Sequence, residues 1–310
     1  MINKKTSHWY AIHPDNLKAW EIKGITFWGK KMMLWKSSNW NYVLQSKYCT
    51  HFWVDLTKWK IVNDQIECPF HGFQFDKKWE NKHCLPKLKY YHTKVFLWMV
   101  WFFNGEEVRY KLEDILREND IHFDLNRYHI INTYNKTYPL PTALLASNFF
   151  DANHFKKVHG VEVEDYKILS QSKYLTFEFH GKYFSYFEIQ KLLFKVIPNK
   201  VYSKIIYSKN CMISCHQVRS KSGKVIFEYY GVFPSTPINE TETLIVSNIL
   251  VKKWFFGFLA KLCAKNILYK ATTDEFDMLT GMNSNIRNYV VWDDLLKIYL
   301  DFYDKEYTSL

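Results

Sequence analysis

The sequence predicts an α+β protein in two parts. An antiparallel β domain spans residues 1–112, and an antiparallel sheet covered by helices spans residues 113–310. Three observations carry this reading. Short alternating apolar and polar runs, split by turn residues, fill the first part. The first polar helical stretch, "LEDILREND", begins at Leu112. After it, long β-rich runs are followed by a tail with helical apolar spacing. Apolar residues make up 47% of the 310 and aromatics 19%, enough for sizeable cores.

In chain order, "GITFWGKKMMLWKSSNWNYVLQSKYC" alternates around a turn at "SSNWN". "DQIECPFHGFQFDKKWEN" reads as strand, loop, strand, and "KYYHTKVFLWMVWFFNGEE" as two strands. The run "VFLWMVWFF", Val95 to Phe103, is too short to span a membrane and suits a buried strand. "SNFFDANHFKKVHG" is helical up to Gly160. "KYLTFEFHGKYFSYFEIQ" reads as a hairpin turning at Gly181. "CMISCHQVRSKSGKVIFEYYGVFPSTPINETETLIVSNIL" gives three antiparallel strands with turns at "SKSG" and "STPINE". In the tail, Phe255, Phe258, Leu259 and Leu262 form one helix face beside Lys261 and Lys265. "NIRNYVVWDDLLKIYLDFY" forms the last helix.

The net charge is +11, but the lysines are spread in short pairs such as Lys30-Lys31 and Lys156-Lys157. No arginine cluster or nucleic-acid motif accompanies them, so they read as a solvated surface and not a nucleic-acid site. The basic helix near Lys261 could lie on a membrane, but a helix covering a sheet has the same pattern, and that is the reading taken. The opening "MINKKTSHWYAIHP" has no apolar signal core, so a cytoplasmic protein with reduced thiols is expected. Cysteines beside histidines are then read first as metal ligands.

Two constellations carry chemistry. The first is C-x-H, sixteen residues, then C-x2-H: Cys49, His51, Cys68 and His71. Two sulfurs and two nitrogens can hold one zinc. They can equally hold a [2Fe–2S] cluster with both Cys on one iron and both His on the other. The second arrangement has each loop give one ligand of each kind, as here, and Pro69 and Gly72 tighten the second loop. The second constellation is D-x2-H-x4-H: Asp151, His154 and His159. On a straight helix the two histidines lie about 140° apart, so they can meet one ion only where the helix bends or ends. Gly160 offers an end. Cys211, Cys215 and His216 read as core residues of a strand, with the two cysteines on one face. Cys84 and Cys263 read as small buried residues.

Taken together, CxH…CPxHG and DxxHxxxxH resemble the oxygenase (alpha) component of Rieske non-haem iron oxygenases. "HWYAIH", "VFLWMVWFF" and the closing "RNYVVWDDLL" fall in the expected order, so the resemblance covers nearly the whole chain. The ending is most similar to the vanillate demethylase and phthalate dioxygenase branch. The resemblance implies a Rieske domain followed by a helix-grip catalytic domain. It implies a [2Fe–2S] cluster on Cys49, His51, Cys68 and His71, and a mononuclear Fe(II) on His154 and His159. Asp151 becomes the carboxylate bridging a neighbour's cluster to this iron, with Asn148 beside it. In "TTDEFDMLTG" the family register selects Glu275 as third ligand, where the family has Asp; Asp274 is its neighbour, and Asp277 fits only with a shift. Two glycines usual around the second loop are replaced, in "DLTKWKIVND" and "DKKWENKHC".

The implied activity is O₂-dependent hydroxylation or demethylation of an apolar ring-containing small molecule. Electrons would come from NAD(P)H through a ferredoxin or flavin reductase, and the implied assembly is a homotrimer. The alternative is a Rieske electron-transfer protein without oxygenase activity.

Overall fold

The computed structural model describes residues 6–75, 88–122, 124–183, 200–208, 210–219, 222–253, 277–282 and 293–308. The N-terminal part holds three small antiparallel sheets. One contains β1 (Trp9–Pro14), β9 (Thr93–Phe96) and β10 (Met99–Phe103). A second contains β2 (Ile22–Phe27), β3 (Lys30–Lys36), β4 (Tyr42–Ser46) and β8 (Tyr90–Tyr91). The third is formed by β5 (Ile61–Val62), β6 (Gln65–Glu67) and β7 (Gln74–Phe75).

The apolar run ending at Phe103 is explained by burial on both faces of β10. Met99, Trp101 and Phe103 enter one core, whereas Val100 and Phe102 enter another, against β2 to β4. The first of these cores crosses into the second half of the chain. It joins Trp9, Ala11, Met99 and Trp101 to Ile213, Tyr230, Val232 and Leu250. Two buried side chains stitch the same seam. Thr236 donates through Oγ1 to the Ala11 carbonyl at 2.5 Å, and Asn248 donates to the Leu97 carbonyl at 2.7 Å. Helix α1 (Glu113–Arg117) follows and packs Ile115 onto this core.

The second half is built on a seven-stranded antiparallel sheet in the order β11-β17-β16-β15-β14-β13-β12. Its strands are β11 (Tyr128–Tyr138), β12 (Val161–Gln171), β13 (Leu175–Tyr183), β14 (Lys200–Ser208), β15 (Cys211–Arg219), β16 (Val225–Pro237) and β17 (Thr243–Lys252). One face meets β1 and β10. The other carries Phe177, Phe179, Ile205, Tyr207 and Met212, covered by α2 (Thr142–Ser147), the segment to residue 159 and α4 (Asp294–Thr308). Between the covering helices and this face, Phe150 and Tyr299 stack at 4.4 Å.

Gly181 does not turn a hairpin, as the sequence suggested. It lies inside β13, opposite Val163 and Val201. A Cβ there would stand 2.5 Å from the Glu162 carbonyl oxygen, so the glycine permits close backbone approach in mid-strand. The hairpin partner is β12, whose charges at Glu162, Glu164, Asp165 and Lys167 suit an edge strand. Likewise β16 runs through Ser235, Thr236 and Pro237, so the turn comes after them. Cys211 and Cys215 are buried on one face, as expected. The amphipathic stretch 255–265, Cys84 and Cys263 lie outside the described residues. Among the described residues no helix is long and apolar enough to cross a membrane.

Candidate metal centres

The first centre grows from two tight loops. After β4, the Cys49 N–H donates to the Val54 carbonyl at 2.9 Å, and the Trp53 N–H donates back to Cys49 at 3.0 Å. After β6, the Cys68 N–H donates to the Phe73 carbonyl at 2.7 Å, and the Gly72 N–H to Cys68 at 2.9 Å. Gly72 takes φ 67°, a left-handed conformation that glycine adopts without strain. These closures aim both sulfurs inward, among Met33, Trp35, Leu56, Ile66 and Phe75. Cys49 and Cys68 are 0% and 1% exposed. Burial pushes the Cys49 thiol above its ordinary value, and the adjoining Cys68 sulfur adds to this.

His51 and His71 sit at the outer edge, with their Nδ1 atoms 3.1 Å apart. Phe52, Phe70 and Phe73 ring the two imidazoles. Two nitrogens on one metal at about 2.1 Å, subtending 90–110°, stand about 3.0–3.4 Å apart, so the pair fits a shared iron. Two buried sulfurs inside and two nitrogens outside fit the [2Fe–2S] arrangement in which each iron has its own pair.

The second centre lies where α2 breaks. The chain passes through a 3-10 turn (Asn148–Phe150), a short helix α3 (Ala152–His154) and a π turn (Phe155–His159). Asp151 caps this segment: its Oδ1 accepts from the N–H groups of Asn153 at 3.0 Å and His154 at 3.3 Å. The Asp151 carbonyl lies 2.6 Å from His154 Nδ1. With Nδ1 donating there, Nε2 is left as the metal-binding nitrogen. The π turn resolves the 140° problem. Gly160, at φ 64°, donates its N–H to the Phe155 carbonyl five residues back. The wider turn swings His159 round until its ring centroid is 5.2 Å from that of His154. Two imidazoles sharing one metal at about 2.1 Å have centroids about 4.5–5.2 Å apart, so this pair also fits.

Asn148 is buried in the 3-10 turn. Glu275 and Asp274 lie outside the described residues. Asp277 does not join the histidines; it is exposed and paired with Lys136 at 2.7 Å. Among the described residues no three His, Cys, Asp or Glu side chains converge on a single ion.

His216, read from the sequence as a core residue, is only half-buried. It lies on the sheet face that carries Phe179, with its Nδ1 2.8 Å from Ser203 Oγ and its ring stacked on Tyr229 at 4.6 Å. Burial, with a contribution from neighbouring His159, pulls its pKa down to about 3. The strand's alternation was visible in sequence; its alignment with β13 and β14 was not. A cavity of about 460 Å³ lies on the opposite face, lined by Tyr202, Cys215, Glu228 and Tyr230, and is separated from the histidines by the sheet.

Comparison with known proteins bears on the first centre and on the fold of the whole chain. The Rieske [2Fe-2S] domain family matches residues 8–92, a range that contains all four donors of the first centre. Aminopyrrolnitrin oxygenase PrnD of Pseudomonas fluorescens is 21% identical over 180 residues, 52% of this chain and 47% of that protein. Cholesterol 7-desaturase nvd 2 of Ciona intestinalis is 24% identical over 177 residues, 50% of this chain and 37% of that protein. The aligned segments thus span about half or less of these curated relatives. The crystal structure of dicamba monooxygenase bound to dicamba superposes with a TM-score of 0.74 at 14% identity, covering 97% of this chain and 96% of the other. NdmA of Pseudomonas putida CBB5 gives 0.67 at 12%, covering 96% and 88%.

Residues 8–92 are therefore a Rieske [2Fe–2S] domain. Across its described residues, the chain has the fold of the Rieske non-haem iron oxygenases.

Proposed function

We propose that the chain is the oxygenase component of a Rieske non-haem iron system. It would take electrons, originally from NAD(P)H, through a separate ferredoxin or flavin reductase. With O₂ it would hydroxylate or demethylate an apolar ring-containing small molecule. The observation that carries this is the second histidine pair, brought to 5.2 Å by a π turn in a chain that also holds the Rieske loops. The relatives point the same way, since their names record action on dicamba, aminopyrrolnitrin and sterols.

Cys49 and Cys68 would hold the inner iron of the cluster, and His51 and His71 the outer one. His154 and His159 would hold the mononuclear Fe(II), with Glu275 or Asp274 as third ligand. When bound, the cluster supplies single electrons and the mononuclear iron supplies O₂ activation. The chain's own residues do the rest. Asp151 fixes the turn and the tautomer of His154. Its Oδ1 is used by the cap, while its half-exposed carboxylate leaves Oδ2 to couple the site to the cluster of a neighbouring copy in a homotrimer. Phe150, Phe155, Phe177 and Phe179 form a dry wall beside the histidines.

Metal analysis of anaerobically purified protein tests the reading. About three irons per two acid-labile sulfides is expected from one cluster and one mononuclear centre. About one iron per sulfide, with no O₂ uptake, would reduce the protein to an electron carrier. Zinc without sulfide would overturn both readings.

A further inference from the structure

Tyr166, Phe179, Ser203, His216 and Tyr229 stand opposite one another on consecutive strands, β12 to β16. They form one row across the helix-covered face. Phe179 stacks on Phe155 at 5.4 Å, and Phe155 lies 4.6 Å from His154 and 5.8 Å from His159. His216 is two strands further along, about 10 Å from Phe179 at 4.7–4.9 Å per strand. His216 is half-buried, and His159 of the histidine pair is near enough to act on it electrostatically.

Its tautomer follows from Ser203. That hydroxyl is fully buried and needs an acceptor for its proton; the acceptor at hand is His216 Nδ1 at 2.8 Å. The imidazole proton then sits on Nε2. With Nδ1 accepting, the ring is the neutral tautomer in this arrangement.

We propose that His216 is a specificity residue, donating its Nε2–H to a carbonyl or ether oxygen on the ring substrate, with Ser203 and Tyr229 holding the imidazole in place. This rests on the oxygenase reading of His154 and His159. A neutral donor favours uncharged oxygen acceptors and gives a hydrocarbon nothing.

The probes are 1-indanone and indane, one ring frame with and without the oxygen. Nitrogen-15 NMR of histidine-labelled holoprotein at neutral pH is expected to show the His216 proton on Nε2. Adding 1-indanone moves that signal and indane does not. His216→Phe weakens 1-indanone binding about three- to ten-fold and leaves indane unchanged, while His216→Asn restores part of the difference. A proton on Nδ1, an equal effect on both probes, or binding of neither overturns the proposal. If the tautomer and the discrimination hold but no iron loads at His154 and His159, the His216 contact stands and the oxygenase reading falls.

Of the nine tryptophans among the described residues, five, Trp20, Trp28, Trp40, Trp53 and Trp98, have φ between 48° and 64°. Bulky L-residues are outliers there, and glycine is the default. Trp28-Gly29 joins Phe27 to Lys30, and Leu97-Trp98 joins Phe96 to Met99, as two-residue hairpin loops with both central φ positive. Such loops ask for Asn-Gly or Gly-Gly. Trp28 buries its indole N–H without an acceptor, while Trp40 and Trp53 are 66% and 75% exposed. Trp9 and Trp101 behave otherwise: each is buried, and each donates its indole N–H to a backbone carbonyl. Glycine itself is scarce, 10 in 310 residues, about half the usual share of roughly 7%.

We infer that these five are glycine positions, and that the codon behind them is read as glycine in the source cell. UGA fits, since different genetic codes read it as stop, tryptophan or glycine. Peptide mass spectrometry of the protein from source cells is expected to show glycine at 20, 28, 40, 53 and 98 and tryptophan at 9 and 101. Tryptophan at the five overturns the inference. In recombinant protein, replacing all five Trp→Gly is expected to raise Tm by roughly 5 °C or more. An unchanged or lower Tm counts against it.

Discussion

Asp151 caps a helix, and the proposed function gives it a second role in coupling to a cluster; substitution can separate the two. As a helix cap, its Oδ1 holds two backbone N–H groups, at 3.0 and 3.3 Å. Asparagine can accept the same bonds, whereas alanine cannot. Losing such a cap costs about 1 kcal/mol, and Asp and Asn cap equally well. The side chain is 37% exposed, so little burial energy adds to this. Asp151→Ala should therefore lose about 1 kcal/mol, seen as a Tm lower by roughly 2–4 °C, and Asp151→Asn only a few tenths of a kcal/mol. Electron coupling divides the variants differently, because both lack the negative charge. In stopped-flow mixing of reduced holoprotein with O₂ and substrate, reoxidation of the cluster should slow at least about ten-fold in both, a barrier increase of about 1.4 kcal/mol. The cluster absorbance should be intact. An Asp151→Ala protein as stable as wild type refutes the cap, and normal reoxidation in Asp151→Asn refutes the coupling.

Gly160→Ala forces a Cβ into a left-handed position at a cost of about 1–2 kcal/mol. It should loosen the π turn and lower iron retention at His154 and His159, read by metal analysis after dialysis. Gly24→Ala, where a Cβ meets nothing within 4 Å, is the neutral control. Cys68→Ser should abolish the visible absorbance of the cluster while iron bound at the second centre persists. Near the cluster, burial raises the Asp55 carboxyl, but hydrogen bonds from Lys47 and Thr57 outweigh it and hold the pKa below its ordinary value. A depressed folded pKa gives stability that is present above the ordinary carboxylate range of about 4 and lost as pH falls through the folded value. Urea titrations across this range should show that loss, and Asp55→Asn should flatten it.

The cluster loops were legible because their information is local. Ligands one and three residues apart, with Pro69 and Gly72, define two short loops without help from the rest of the chain. The β10 run was legible for a similar reason, since burial on both faces leaves no alternation to misread. The second centre was legible only as a contradiction: the spacing placed two histidines apart, and a π turn, invisible to a 3.6-residue period, brings them together. The surroundings of His216 were not legible because its neighbours come from β14 and β16, through a register that local pattern does not encode. Gly181 misled because glycine marks both turns and close approaches, and only the pairing of β12 with β13 distinguishes them.

The seam between the two halves limits how charge can travel. Trp9, Met99 and Trp101 are locked into the same apolar mass as Ile213 and Leu250, and Thr236 and Asn248 pin the backbone across it. A head joined this way cannot swing on a tether to deliver its cargo. On the proposed oxygenase reading, an electron leaving the cluster would tunnel across a gap fixed by how copies of the chain abut, so the rate would answer to assembly and not to a hinge.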